Sequence, residues 1–365
     1  MTSTARYDLD LTKDVVALTC DLVDIPSESF QERPIADAVE RALSRYQHLA
    51  VSRHGNTIVA RTNGGDGAER GQSHRVVIGG HLDTVPANDN LGHRVIDDRV
   101  YGLGACDMKG GVAISLALAA ELVQPRFDVT YLYYDCEEVA AEFNGLAKLA
   151  ATDPKALACD FAILMEPSNA GVEAGCQGTL RAEVSTSGER AHSARSWMGD
   201  NAIHKAGEII DRLNRYGSRE VAIDGLVYRE GMNAVKIDAG IAGNVIPDGC
   251  TVTINYRYAP SRSAGEAQAH IRELFEGFDV VVVDNAPGAL PGLQNPSVES
   301  FIDVVGEAPA PKFGWTDVSR FASIGIPALN FGPGNPSLAH TKDEFVPIPE
   351  LRRCYAVLND WLRTS

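Results

Sequence analysis

Apolar and amphipathic segments alternate along the first half of the chain. Short apolar runs at Val76–Gly80, Val129–Tyr134 and Phe161–Met165 are typical of buried strands. Apolar residues at helical spacing predict a helix over Pro34–Tyr46, and Val112–Leu122 is apolar nearly all round, as a buried helix is. Strands that alternate with helices indicate an α/β domain whose site lies at the strand ends.

The second half of the chain has a different pattern. From Val235 to Ile241, apolar and polar residues alternate as they do in a half-buried strand. Ser263 and Glu266 have the spacing of a capping box, which predicts the start of a helix. With the neighbouring segments, these elements indicate an inserted βαββαβ unit. The predicted division is one domain of residues 1–177 and 286–365, and a second of residues 178–285.

Histidines and acidic residues follow the apolar runs and occupy two glycine-containing loops. The adjacent Glu137 and Glu138 repel each other, and a divalent cation would relieve that repulsion. Taken alone, each position also has a plain interpretation as a capping or exposed residue of a turn. The candidate metal ligands are His81, Asp107, Glu138, Glu166 and His340.

The number of these ligands indicates more than one metal ion. His81 and Asp83 are two residues apart, so their side chains share one face of an extended chain. The histidine can bind a metal through one ring nitrogen while the aspartate accepts a hydrogen bond from the other. Two histidines and three carboxylates are too many ligands for one tetrahedral zinc. They suit two metal ions about 3.5–4 Å apart, bridged by one carboxylate and one water.

Composition and charge argue against several other classes of function. The 365 residues allow about two domains, and the net charge of −16 disfavours a nucleic-acid or anionic-membrane surface. The glycines around Asp107 lack a G-x-G-x-x-G pattern and a Walker lysine, so no nucleotide site is expected. The seven dispersed cysteines form no C-x-x-C pair, which predicts reduced thiols. With no apolar leader or long apolar run, the expected location is the cytoplasm.

Five motifs spread over most of the chain resemble those of the co-catalytic zinc aminoacylases and carboxypeptidases. In order they are HLDTVP, GLGACDMKGG, DCEEV, MEP and AHTKDE. The resemblance implies a zinc-peptidase-like catalytic domain with a central mixed sheet, and an inserted ferredoxin-like domain that dimerises and forms a lid. It also implies two divalent metal ions. His81 and Glu166 would hold one zinc, Glu138 and His340 the other, and Asp107 would bridge them.

The same resemblance implies roles for residues that are not ligands. Glu137 would be the general base, and Asp83 would support the ligands from behind. A cis peptide bond is implied between Asp107 and Met108. His192 would act in the site of the neighbouring chain of a homodimer, because family members reach across their dimer with such a histidine.

Further segments resemble one bacterial branch of the family, which hydrolyses N-succinyl-LL-2,6-diaminopimelate. They are GCQGTLR, RAHSARSW, GNVIPD, NYRYAP and GWTDVSRF. The better-studied members carry two arginines where this chain has Cys176 and Gln177, so this chain lacks their positive charge there. They carry a tyrosine where this chain has Arg195, and the guanidinium of Arg195 can restore positive charge. Carried over by position, His192 and Asn244 would contact the scissile amide or the succinyl group. Thr179, Arg257 and Arg320 would hold the amino-acid end, and Thr316 would line the succinyl pocket. Arg195 would meet one of the substrate carboxylates, and the resemblance leaves open which one.

Other functions on the same scaffold stay open at this point. An acetylornithine deacetylase, a dipeptidase or another aminoacylase would use the same metals with a different pocket. A non-catalytic amino-acid binder is less consistent with the sequence, because Glu137 is present together with all five ligands. The sequence leaves open whether the second metal is zinc, manganese or cobalt.

Overall fold

A computed structural model describes residues 7–62 and 74–363. The polar, glycine-rich stretch Asn63–Ser73, which the sequence predicts to be a loop, lies outside the described residues. The chain divides into two compact units. The larger unit comprises Met1–Ala174, Gly292–Ala310 and Thr316–Ser365, and the smaller comprises Gly175–Pro291 and Pro311–Trp315.

The strands are numbered in chain order. Up to residue 174 they are β1 (Leu49–His54), β2 (Thr57–Thr62), β3 (Arg75–His81), β4 (Arg94–Ile96), β5 (Arg99–Tyr101), β6 (Asp128–Tyr134), β7 (Phe161–Leu164) and β8 (Glu173–Ala174). Further on they are β9 (Gly178–Ser187), β10 (Ala191–His192), β11 (Arg219–Ile223), β12 (Leu226–Ala239), β13 (Val245–Ile246), β14 (Gly249–Tyr258), β15 (Asp279–Ala286), β16 (Ala310–Pro311), β17 (Ala328–Asn330) and β18 (Phe345–Pro347).

The α-helices are numbered in the same way. They are α1 (Val15–Val23), α2 (Arg33–Leu43), α3 (Gly110–Glu121), α4 (Gly145–Thr152), α5 (Ala202–Arg215), α6 (Ala264–Leu274), α7 (Pro296–Val305), α8 (Val318–Ser323) and α9 (Ile348–Arg363). Within the described ranges, every helix is too short or too polar to span a bilayer.

The larger unit is built on a mixed eight-stranded sheet. Its order is β1-β2-β6-β3-β7-β17-β8-β16, and the four strands β6, β3, β7 and β17 run parallel to their neighbours in that group. These central strands are buried on nearly every residue, which explains their continuous apolar sequences. A separate three-stranded sheet has the order β18-β5-β4.

Helix α3 is buried on almost all sides, as its sequence predicts. Residues 110 to 119 are all buried. The helix starts with Gly110 and Gly111, and a β-carbon on Gly111 would lie 2.3 Å from the carbonyl oxygen of Met165. The absence of a side chain therefore lets the start of α3 approach the end of β7 closely.

The smaller unit is an antiparallel five-stranded sheet with two helices. The order is β11-β12-β14-β9-β15, and residues of α5 and α6 complete its apolar core. The βαββαβ pattern expected from the sequence is present, and the predicted capping box of Ser263 and Glu266 begins α6. Strand β11 is an addition: it forms a hairpin with β12 across Asp224 and Gly225. An Asp-Gly pair between two strands is a common sequence signal of such a hairpin.

Candidate active site

Three central strands of the larger unit end at the same edge of its sheet. Strand β3 lies between β6 and β7 and is parallel to both. The carboxyl ends of parallel strands meet at one edge, so the residues that follow them come together. His81 ends β3, Glu137 and Glu138 follow β6, and Glu166 follows β7.

Two groups of possible metal ligands share Asp107. One consists of His81, Asp107 and Glu166, and the other of Asp107, Glu138 and His340; within each group the ligand atoms lie within 4.8 Å of one another. Asp107 faces the histidines with different oxygens: Oδ1 lies 3.1 Å from Nε2 of His81, and Oδ2 lies 3.5 Å from Nε2 of His340. The structure thus brings together all five predicted ligands. Their donor chemistry suits two divalent cations that share one carboxylate.

Hydrogen bonds and burial change the acidity of this cluster. Burial alone would raise the pKa of Asp107, but hydrogen bonds from His340 and His81 hold it below its usual range. The hydrogen bonds to Asp107 and Glu138 raise the pKa of His340 to about 10. His340 Nε2 lies 2.8 Å from Oε1 of Glu138. Because ligands must be deprotonated, metal binding here competes with protons.

Glu137 lies beside the ligands. A carboxylate oxygen of Glu137, a nitrogen of His81 and an oxygen of Glu138 lie within 4.8 Å of one another. Burial raises the pKa of Glu137 well above its ordinary value; His81 opposes the change, and nearby carboxylates such as Asp317 add to it. A carboxyl group in this position can exchange a proton with a molecule held at the cluster.

Asp83 lies beside His81 and has further partners besides it. Nδ1 of His81 lies 3.0 Å from the main-chain oxygen of Asp83 and 3.5 Å from its carboxylate. The carboxylate also accepts hydrogen bonds from the N–H of Glu137 at 3.0 Å, the N–H of Glu138 at 3.1 Å and the hydroxyl of Ser29 at 2.8 Å. The carbonyl oxygen is thus the nearer partner of His81, while the carboxylate, 3.5 Å away, also interacts with the histidine and is shared with three other donors. A carbonyl only accepts, so Nδ1 carries a proton, and Nε2 would offer a lone pair to a metal once it loses the proton it shares with Asp107.

Two buried glutamates outside the predicted set of site residues hold the loops of the site. Glu344 accepts hydrogen bonds from the N–H groups of Cys106 and Asp107, and burial raises its pKa to about 7. Glu32 accepts from the N–H of Phe30 at 2.8 Å and from the N–H and Sγ of Cys136. Glu344 could have been noticed because it stands four residues after His340 in the AHTKDE motif. The sequence gives no comparable signal for Glu32.

The backbone also has unusual conformations at the site. The peptide bond between Asp107 and Met108 is cis, which confirms the expectation from the family resemblance. Cys136 and His340 have φ angles of 57° and 64°, in the left-handed region that non-glycine residues seldom adopt. Backbone strain of this kind is typical of functional sites, and it persists where surrounding contacts enforce it.

Two predicted substrate residues of the smaller unit share one face of its sheet. Thr179 on β9 and Arg257 on β14 are directly paired, and Asn255 donates to the Thr179 hydroxyl at 3.3 Å. Burial lowers the pKa of Arg257. Among the described residues, Arg257 forms no ion pair within 4.0 Å, although the charge of Asp284 acts on it from farther away. Its guanidinium is therefore available to an anionic ligand.

Three other predicted residues come together in a second region of the smaller unit. Asn244 directly precedes Val245, which pairs with His192, and the carbonyl of Asn244 accepts the N–H of Ser193. Nδ1 of His192 accepts the N–H of Ala194, and Arg195 lies in the same exposed turn. The remaining predictions lie in the larger unit and are more enclosed. The hydroxyl of Thr316 donates to Asn330, and Nε of Arg320 donates to the buried Asp317.

Comparison with known proteins places this chain among metal-dependent hydrolases. A Mycobacterium tuberculosis protein provisionally named succinyl-diaminopimelate desuccinylase is 50% identical over 357 residues, which cover 97% of this chain and 99% of that protein. The succinyl-diaminopimelate desuccinylase of Corynebacterium glutamicum is 47% identical over 373 residues, covering 99% and 100%. An acetylornithine deacetylase of Myxococcus xanthus is more distant, with 28% identity over 319 residues, covering 81% and 80%.

Solved structures of low sequence identity share the fold. A tripeptidase from Staphylococcus aureus superposes with a TM-score of 0.76 at 21% identity, covering 97% of this chain and 98% of that one. A Bacillus subtilis protein described as a dinuclear metal binding peptidase gives a TM-score of 0.70 at 16% identity, covering 95% and 96%. The sequence model of peptidase family M20/M25/M40 matches residues 77–364. With this match and the close relatives above, the chain belongs to peptidase family M20/M25/M40.

Proposed function

We propose that this protein is a succinyl-diaminopimelate desuccinylase. It hydrolyses N-succinyl-LL-2,6-diaminopimelate to succinate and LL-2,6-diaminopimelate, a step toward lysine and the cell-wall precursor. The observation that carries this proposal is the near-complete alignment, at 50% and 47% identity, with two relatives of that name. A metal-ligand cluster with an adjacent glutamate, as at Glu137, is chemically suited to cleave an amide.

The proposed cofactors are two zinc ions. His81 and Glu166 would hold one ion, Glu138 and His340 the other, and Asp107 would contribute to both. The shared carboxylate and the mixed nitrogen and oxygen donors support this assignment. When bound, such ions supply Lewis acidity toward the substrate carbonyl and lower the pKa of water. Cobalt or manganese in the second position is a variant of the same proposal.

Glu137 is proposed to move the proton in this reaction. A carboxylate oxygen of Glu137 takes a proton from water as the water oxygen bonds to the amide carbon, and then delivers it to the leaving nitrogen as the C–N bond breaks. Asp83 holds the main chain of Glu137 and Glu138 through two hydrogen bonds. This attachment supports a fixed position for the base beside the ligands.

Arginines are proposed to recognise the substrate carboxylates. A guanidinium matches a carboxylate with two parallel hydrogen bonds. Arg257, next to Thr179, is the stronger candidate because no carboxylate of the described chain pairs with it, whereas Arg320 is bonded to Asp317. Arg195 is a third candidate for one of the substrate carboxylate groups. Thr316 would line the succinyl pocket, and His192 and Asn244 would contact the amide or the succinyl group.

The working unit is proposed to be a homodimer formed through the smaller unit. In the described part of the chain, β12 pairs with β11 only up to Glu230, so one edge of the segment 231–239 has no strand beside it. Val235 and Ile237 on this segment are 58% and 53% exposed. An open strand edge with exposed apolar residues is suited to pairing with a second chain. The free cysteines, six of them buried, are consistent with a proposed cytoplasmic location.

A comparison of three substrates tests the proposed activity. Metal-free protein is reloaded with zinc, cobalt or manganese, and hydrolysis of N-succinyl-LL-2,6-diaminopimelate is compared with that of N-acetylornithine and a dipeptide. We expect the largest kcat/KM for the succinyl substrate, and nearly none with Glu137→Ala. A larger kcat/KM for acetylornithine would replace this proposal with a deacetylase.

A further inference from the structure

Glu344 joins two segments of the candidate site that are far apart in sequence. Its side chain is only 1% exposed. Oε1 accepts hydrogen bonds from the N–H of Cys106 at 2.9 Å and from the N–H of Asp107 at 3.0 Å. A buried carboxylate is costly unless hydrogen bonds compensate it, and N–H groups bonded to a carboxylate are held firmly.

The main chain around Glu344 strengthens this junction. The carbonyl oxygen of Glu344 accepts the N–H of Gly102 at 3.1 Å, and Phe345 on β18 pairs with Tyr101 on β5. The N–H of Glu344 bonds to the carbonyl of Thr341 at 3.3 Å, which closes the turn that follows His340. The segment that carries His340 is therefore fastened to the segment that carries Asp107.

This junction determines how one aspartate meets two histidines. Asp107 is part of both ligand groups, with Oδ1 toward His81 and Oδ2 toward His340. The N–H of Asp107 is bonded to Glu344, so rotation of that peptide group would break the bond. His81 is positioned separately, by β3 and by its bond to the carbonyl of Asp83.

We propose that Glu344 is a positioning residue for the second metal position, formed by Asp107, Glu138 and His340. It sets the distance between Oδ2 of Asp107 and the imidazole of His340. The first position also uses Asp107, but its other ligands, His81 and Glu166, are held at the ends of β3 and β7, so it depends on Glu344 less. This inference rests on the metal assignment of the proposed function, and it adds a residue that is not itself a ligand.

Metal titration of variants tests the role of Glu344. Co²⁺ is titrated into metal-free samples of the wild type and of the variants Glu344→Ala, Glu344→Asp and Glu344→Gln. Binding is monitored by visible absorption, and the amount of bound metal is measured after gel filtration. Asp343→Ala is the matched control, because it removes an exposed carboxylate one residue away. Substitution of a residue that hydrogen-bonds to a metal ligand typically lowers the metal affinity by about 10–100-fold.

The expected pattern separates positioning from a purely structural role. Wild type and Asp343→Ala should bind two ions. Glu344→Ala and Glu344→Asp should bind the first ion with near-normal affinity and the second roughly 10–100-fold more weakly. Glu344→Gln should recover the second ion, since its amide oxygen can accept both N–H bonds.

Two results would overturn the inference. One is an equal loss of affinity for both ions together with a lower free energy of unfolding, which would make Glu344 a general structural residue. The other is normal binding of both ions by the folded Glu344→Asp variant. Wild-type protein that binds fewer than two ions would reject the metal assignment and this inference with it. The titration contains no substrate. A failure of this inference is therefore distinguishable from an error in the proposed substrate.

Discussion

At the residue scale, Asp83 shows how one buried carboxylate organises groups from three parts of the chain. It bonds the hydroxyl of Ser29 and the N–H groups of Glu137 and Glu138. Burial would raise its pKa, but the bond with His81 and the main-chain bonds hold the pKa below its ordinary value. The aspartate therefore stays ionised, and it fixes the strand end that carries the proposed base.

The first prediction separates Glu137 from the metal ligands. Glu137→Ala should retain close to two bound metal ions and lose roughly 10²- to 10⁴-fold in kcat, as loss of a general base does. Metal content and steady-state rates are measured together. Glu142→Ala, which removes an exposed glutamate five residues away, is the control and should change neither. Loss of a bound metal ion in Glu137→Ala would identify Glu137 as a metal ligand.

The second prediction concerns Glu32 and the pH dependence of stability. Burial raises the pKa of Glu32 above its ordinary value of 4.5, so the folded state favours the neutral carboxyl. The wild type therefore loses stability as pH rises from about 4.5 toward the raised pKa. Glu32→Gln lacks this loss, so its free energy of unfolding relative to wild type should increase with pH.

Urea unfolding of metal-free protein at several pH values measures this effect. The slope against pH is compared, because the buried amide of Gln adds a constant offset. Glu142→Gln controls for the loss of one carboxylate. Parallel curves for wild type and Glu32→Gln would show that Glu32 is charged in the folded protein.

At the scale of elements, close backbone packing surrounds the end of β7. A β-carbon on Gly111 or on Gly332 would lie 2.3 Å from the carbonyl oxygen of Met165. Both glycines therefore let main chain approach the residue directly before Glu166. The position of that candidate ligand depends on how α3 and the segment after β17 pack against the strand end.

The third prediction uses this packing. Gly111→Ala should force α3 away from Met165 and lower the free energy of unfolding by about 1–3 kcal/mol, the usual cost of overpacking. Gly207→Ala is the control, because Gly207 lies in α5 with no heavy atom within 4 Å of a new β-carbon. It should raise stability by roughly 0.5–1 kcal/mol. Equal effects of the two substitutions in urea unfolding would show that α3 adjusts freely.

The fourth prediction tests the polar face of the smaller unit's sheet. Arg257→Ala should raise KM for the succinyl substrate by roughly 10–100-fold, because a charge-assisted bond contributes about 1.5–3 kcal/mol. Arg229→Ala is the control, since Arg229 is exposed and paired with Glu220. Initial rates over a range of substrate concentrations separate KM from kcat. An unchanged KM would make Arg257 a structural residue of the sheet.

At the scale of the whole molecule, His192 is the residue that would link the sites of two chains. His192 is exposed and lies in the smaller unit, whereas all five candidate ligands lie in the larger unit. If the proposed dimer supplies His192 to the partner's site, a two-fold axis makes the exchange reciprocal.

The fifth prediction decides this by mixing chains. Glu137→Ala and His192→Ala chains, each nearly inactive, are refolded together in equal amounts. If His192 acts in the neighbouring site, mixed dimers contain one intact site, so about a quarter of all sites should be active. If it acts within its own chain, no intact site forms. Proven exchange of subunits without recovered activity would exclude action across the dimer.

Most of the elements and all five candidate ligands could be predicted from the sequence alone. Continuous apolar runs predict buried strands, and polar residues directly after them predict a site at one sheet edge. The additional strand β11 and the return of residues 311–315 to the smaller unit were not predicted. Lys312 bonds there to the N–H of Gln177, a contact between distant positions that no local pattern encodes.

Only the tertiary structure decided which atoms meet. Spacing placed Asp83 beside His81, but only the folded chain shows that the carbonyl oxygen is the nearer partner of the histidine and that the carboxylate also holds the N–H groups of Glu137 and Glu138. Glu344 meets Asp107 across 237 residues. Residue type and periodicity determine which segments are buried, because burial follows from local hydrophobicity. Hydrogen-bond partners depend on distances and angles between segments, and those exist only once the sheet and its loops have assembled.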